Sequence, residues 1–356
     1  MKPQDPKEIF GRRLAQARRM RGMSLRGVAE AIGGKVSYNA LHRYESGEMM
    51  PGDEVLISVA DVLDKPLDFF FRPFSMELRE LRFRKNSGLG TKSEVAIKEQ
   101  ATDFFERYCE IEQILAVHSS FKDPLSDSEY AADDEAEVAA AMVRSSWRLG
   151  DAPLPNVTET LEVNGFKIFE VEAPESFKGF AGWADSHPVI VLAQWLNKDI
   201  PLKRFTMLHE AAHLLAAAHT ALDGKLLESF CDRFAGAMLI PAAVFTADFG
   251  GFRHRISLEE LIDLKRRYGM SIAAIMHRAH DLKLINDSTY RQFCIIRNKK
   301  GWRRDEPGRY AGDEKSSRFE QLVLRATAEE QVSFDKGAAL LNMPLAVFRQ
   351  TLSEFL

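Results

Sequence analysis

The stretch "RFTMLHEAAHLLAA", residues 204–217, decides how the chain is read. His209 and His213 are four residues apart, so on a helix both imidazoles lie on one face, spaced to share one ion with Zn–N bonds of about 2.0–2.1 Å. Glu210, beside the first histidine, reaches the same point from the side. A metal held there would lower the pKa of a water from about 15.7 to about 7. A carboxylate could then take the water's proton and later hand it to a leaving amine. The spacing also arises on helices that hold no metal, so the neighbouring sequence must decide. The segment is otherwise apolar, and a core helix that buries a carboxylate and two imidazoles needs something to compensate them.

"ESFCDRFAGAMLIP", residues 228–241, supplies a third donor. Glu228 stands at the expected start of a helix whose Phe230, Phe234, Ala237 and Met238 bury one face. Two histidines and one glutamate would leave a fourth position for water, as a catalytic zinc site requires. The alternative for Glu228 is a first-turn carboxylate favoured by the helix dipole. Asp232, one turn on, is a candidate to orient a ligand histidine. His219 points away from the ligand face, and His187, beside Pro188, is assigned to a loop. His277 and His280 sit on a packing helix within "SIAAIMHRAHDLKLI", with a transition-state donor as the alternative.

Upstream the pattern is that of strands. "TLEVNGFKIFEVEA", residues 160–173, alternates around Asn164-Gly165 and predicts a hairpin. "VIVL", residues 189–192, predicts a strand buried on both faces. Further upstream, residues 74–107 are expected to be helical, broken by "NSGLGTK" at 86–92, with Val95, Phe104, Phe105, Ile111, Ile114 and Leu115 on a packing face. The tail, "RFEQLVLRATAEEQVSFDKGAALLNMPLAVFRQTL", predicts two or three helices, one beginning at Ser333.

The N-terminal region reads as four or five short helices. Ile9, Leu14, Ala17 and Met20 recur at helical spacing, Ser24 caps "LRGVAEAI" before Gly33-Gly34, Ser37 opens a third helix that buries Leu41 and Tyr44, and Val55, Leu56, Val59, Ala60 and Leu63 form one face of a fourth. Residues 1–43 hold ten Lys/Arg against three Asp/Glu, whereas residues 86–356 hold 32 against 40. A basic head on an acidic body points to a nucleic-acid-binding end.

Residues 8–71, with "RYESGEMMP" after the third helix, resemble the phage-repressor-like XRE family. The resemblance implies that the helix from Ser37 enters the major groove of operator DNA, with Tyr38, Asn39 and Arg43 meeting base edges and Ser37 a phosphate. Residues of about 140 to 300, with "NVTETLEVNGFKIFEVE", "FKGFAGWADSHPVIVL", "RFTMLHEAAHLL" and "ESFCDRFAGAMLIP" in that order, resemble the ImmA/IrrE metallopeptidase family. That likeness implies a gluzincin-like zinc peptidase with His209, His213 and Glu228 as ligands and Glu210 as base and acid. Its members act in stress response, phage control and toxin–antitoxin-like loci, typically on a DNA-binding repressor.

The expected fold is mainly α with a small β-sheet: 1–72 helix-turn-helix, 73–135 helical connector, 136–300 metallopeptidase, 301–356 helical. The expected cofactor is Zn2+. The expected partners are double-stranded DNA, a repressor or toxin protein, and a second copy of the chain, with no membrane. Three widely spaced cysteines without a CxxC, and no apolar leader, favour a reducing cytoplasm. The competing function is a transcription factor or antitoxin whose peptidase-like domain senses or binds without cutting.

Overall fold

The computed structural model describes residues 5–82, 89–117, 120–216 and 219–353. By contacts the chain divides into two units: Met1–Leu78, Asn86–His118 and Ser317–Leu356 form the first, Arg79–Lys85 and Ser119–Ser316 the second.

The first unit begins with α1 (Pro6–Met20), α2 (Leu25–Ala31), α3 (Tyr38–Glu45) and α4 (Asp53–Leu63). Ser24 and Ser37 accept the N–H groups of Gly27 and Ala40, which starts α2 and α3 where the sequence places their caps. Phe10, Leu14, Val28, Leu41, Tyr44, Val59, Leu63 and Phe70 make the core. A Cβ on Gly11 would stand 2.4 Å from the Tyr44 carbonyl oxygen, so a bare Cα lets α1 lie on the end of α3. The "RYESG" turn thus has physical causes: Tyr44 is core, Glu45 accepts from Arg18 Nε and Nη2 at 2.6 and 2.9 Å, and Gly47 turns the chain at φ 74°.

Helix α5 (Thr91–Ile114) adds a second layer to this unit, burying Ile97, Ala101, Phe105, Tyr108 and Ile111. Val95, expected on that face, is exposed. Buried ion pairs add to these contacts. Arg13, wholly buried, donates to Glu106 at 2.7 and 3.2 Å and to the carbonyls of Arg72 and Pro73. Asp103 accepts from Arg72 and lies near Lys65 and Arg107. Burial pushes the Asp103 carboxyl up, but the opposing charges of Arg107, Lys65 and Arg72 outweigh it and hold it at about 2. Its contribution to stability is therefore present above the ordinary carboxylate range and lost as pH falls through about 2. The helix expected between Phe74 and the break at 86–92 is corrected: Leu78–Arg82 is a strand, β1, and the helix after the break starts at Thr91. Leu78 is buried and β1 pairs within a sheet, so a distant partner overrides local helical preference. Residues 86–88 of the "NSGLGTK" break lie outside the described residues.

The second unit contains α6 (Ala136–Ser146), α7 (Val157–Val163), β2 (Lys167–Val171), β3 (Gly179–Ala184), β4 (His187–Ala193), α8 (Ile200–Ala216), α9 (Gly224–Leu239), α10 (Ala242–Phe249), α11 (Leu258–Tyr268), α12 (Ile272–Asp281) and α13 (Asp287–Lys299). The sheet order is β1-β3-β4-β2. β2 runs parallel to β4 with Lys167 opposite Val189, and β3 antiparallel with Gly179 opposite Leu192. Val189, Ile190, Val191 and Leu192 are all fully buried, as the apolar run predicts. The hairpin expected at Asn164-Gly165 is corrected. Residues 157–163 are helical, with Val157 and Leu161 buried one turn apart, and Gly165 at φ 91° swings the chain into β2. The hairpin is β3–β4, turning at Asp185, and His187 opens β4 rather than lying in a loop.

Two buried cations fix α8. Lys203 Nζ donates to Glu170 and Asn197 at 2.6 and 2.7 Å. Arg204 pairs with Glu314, wholly buried like itself, and Glu314 also accepts the N–H groups of Val157 and Thr158. One carboxylate therefore ties the start of α7 to α8.

The last three helices, α14 (Arg318–Ala328), α15 (Phe334–Leu341) and α16 (Leu345–Ser353), belong to the first unit, and α15 starts at its Ser333 cap. Phe319 stacks on Tyr108, and Arg107 donates to the Leu340 carbonyl, so α5 forms the spine of that unit. Among the described residues no single helix is long and apolar enough to cross a membrane.

Candidate metal centre and nucleic-acid interface

Helix α8 buries almost every residue of its second half, including His209, Glu210 and His213 at 2, 3 and 6 % exposure. Three polar side chains in such a place need compensation. Glu228 faces them from α9, which begins four residues earlier than expected, at Gly224; the carboxylate thus lies beyond the first turn, where a helix dipole would account for it. His209 Nε2 and His213 Nε2 are 3.2 Å apart, Glu228 Oε2 is 3.7 Å from the first, and Glu228 Oε1 is 3.4 Å from the second. Tetrahedral donors bonded at about 2.0–2.1 Å stand roughly 3.3 Å from one another, so the three donors fit a zinc ion.

The outer nitrogens explain why the inner ones converge. His209 Nδ1 is 2.7 Å from Asp232 Oδ1, and a carboxylate acceptor puts the ring proton on Nδ1. His213 Nδ1 is 3.4 Å from the buried Cys231 sulfur. Each Nε2 is then left with its lone pair directed at the other, an arrangement a cation stabilises. Glu228 and Asp232 are roughly half exposed, so solvent reaches the donor set from one side. Glu210 lies on the buried side against β3, where a Cβ on Gly179 would come 3.8 Å from its Cγ.

Sequence reasoning missed two neighbours. Cys231 reads as an isolated thiol, and only the i+3 offset from Glu228 on α9 could have placed it beside His213. Asp281, at the end of α12, accepts from His277 Nδ1 at 3.0 Å; the i,i+4 spacing carried that signal. The Asp281 hydrogen bond raises the His277 pKa, burial works against it, and the Asp281 and Asp232 charges add to the rise. His219 is held elsewhere, by Asp123 at 2.7 Å.

In the first unit α3 turns Tyr38, Asn39, His42 and Arg43 to solvent while Leu41 and Tyr44 hold it to the core. Arg26 lies 5.6 Å from the centre of the Tyr38 ring, and Arg43 pairs with Glu48 at 3.0 Å. Ser37 spends its oxygen on the cap while its hydroxyl proton can still be donated.

The fold and these two clusters define a helix-turn-helix head joined to a domain built around an HExxH helix and a distant glutamate. Residues 14–70 match the helix-turn-helix family model, and residues 162–280 match the IrrE N-terminal-like domain, of a zinc-type metallopeptidase family. The chain is thus a fusion of an XRE-type head with an IrrE-like domain, a DNA-binding regulator with a protease-like domain. No curated protein and no solved structure matches it.

Proposed function

We propose that the chain is a cytoplasmic transcriptional regulator whose second unit is a zinc-dependent endopeptidase cleaving a repressor-type protein in stress, phage or toxin–antitoxin-like control. The observation that carries this reading is the convergence of His209 Nε2, His213 Nε2 and the Glu228 carboxylate, with each outer ring nitrogen engaged by Asp232 or Cys231. Bound zinc supplies a Lewis acid and an acidified water at neutral pH. The chain's own residues do the rest. His209, His213 and Glu228 hold the ion, and Asp232 keeps His209 in the tautomer that binds. Glu210, buried and adjacent, takes a proton at its carboxylate and returns it to the leaving amine. Tyr38, Asn39 and Arg43 read base edges and Ser37 holds a phosphate. A homodimer would present two such faces to two half-sites.

Glu210→Gln separates enzyme from sensor, since Glu210 is outside the donor set. The variant should keep metal and DNA binding and lose about 10²–10⁴ in hydrolytic rate. Repressors encoded beside the chain should then accumulate uncleaved on immunoblot, with the target promoter still repressed. Normal promoter control by Glu210→Gln would leave the second unit a sensor rather than a peptidase.

A further inference from the structure

On the α12–α13 side of the metal centre a groove of about 740 Å³ opens, lined by Arg233, Phe252, His280, Asp281, Lys283 and the residues that start α13. One of its lining residues, Arg233, belongs to α9. Arg233 follows Asp232, the partner of His209, and Asp281 lies 3.5 Å from Arg233 while also accepting from His277. Its walls are preformed. Lys283 takes a left-handed conformation, φ 57°, at the end of α12, and the Arg253 N–H donates to the Leu284 carbonyl at 2.8 Å, which ties the loop carrying Phe252 to the α12–α13 corner. Phe252 is nevertheless 56 % exposed, although a ring of that size favours burial.

The charges in the groove are matched with one exception. Asp281 faces Arg233 and His277, Asp287 faces His280 at 2.8 Å, and Arg233 also faces Asp133 at 3.3 Å. Lys283 makes no ion pair with any described residue. The geometry points to a substrate subsite: the groove takes a stretch of the peptide beside the scissile bond, with an acidic side chain against Lys283 and an apolar one against Phe252. This rests on the peptidase reading, from which it takes the peptide as ligand.

The test uses the full chain carrying Glu210→Gln, zinc added, and fluorescein-labelled decapeptides in which Glu, Ala or Lys is walked through each position, with binding read by anisotropy. At one position Glu should bind more tightly than Lys. Lys283→Glu should reverse that order by about 3–10-fold, and Phe252→Ala should weaken all peptides by a similar factor. Lys300→Glu, at the far end of α13, should change neither. An order left intact by Lys283→Glu, or no charge preference at any position, overturns the subsite. Cleavage of the same peptides by the unsubstituted chain is scored separately. Ordered binding with no cleavage would refute the peptidase and keep the groove; cleavage with no charge preference would do the reverse.

Discussion

Helices α3 and α8 both carry polar residues proposed to function, yet they treat them oppositely. On α3 they stand in solvent and only Leu41 and Tyr44 are buried, so the working face costs the fold nothing. On α8 the working residues are among the most buried of their kind in the chain, and the helix is held by a fully buried ion pair and a buried lysine. A surface that reads a partner can be assembled from exposed side chains, whereas a centre that holds an ion must position its donors within tenths of an ångström and needs rigid support.

The contrast predicts where substitutions hurt. Glu314→Gln removes the charge that compensates Arg204 and should destabilise the second unit by about 3–5 kcal/mol. All four tryptophans, Trp147, Trp183, Trp195 and Trp302, lie in that unit, so urea unfolding followed by tryptophan fluorescence reports it directly. An unchanged midpoint would show that α8 does not depend on its buried anchor. Cys231→Ala should weaken zinc affinity by about 10–100-fold in chelator competition, the range for losing a group that orients a ligand histidine. If affinity is unaltered, the thiol merely fills space. Arg43→Ala, at the other extreme, should move stability by less than about 0.5 kcal/mol while lowering discrimination between operator and mismatched DNA in gel shift. A large loss of stability would erase the distinction between the two helices.

The same contrast governs what could be read from the sequence. The caps at Ser24, Ser37 and Ser333 and the apolar run at 189–192 are local signals, and they were legible. So was the grouping of His209, His213 and Glu228, because imidazoles and a carboxylate stand out against an alanine- and leucine-rich helix. The hairpin at Asn164-Gly165 was misread because a short amphipathic helix running into a strand can imitate two strands around a turn. β1 was missed because its pairing partner lies about a hundred residues away. Glu314 was invisible for the same reason: nothing near it in the chain announces a carboxylate that joins Arg204 to the first turn of α7. The groove beside α12 is assembled from a loop and a helix corner, and only folding brings Phe252 and Lys283 together.

The central claim is that His209, His213 and Glu228 hold one ion. Elemental analysis of the purified full chain and of His213→Ala, with tryptophan fluorescence confirming that both are folded, tests it most directly. The account predicts about one zinc per unsubstituted chain and essentially none in His213→Ala. Equal metal in the two proteins, or none in the unsubstituted chain after zinc is supplied, would contradict it.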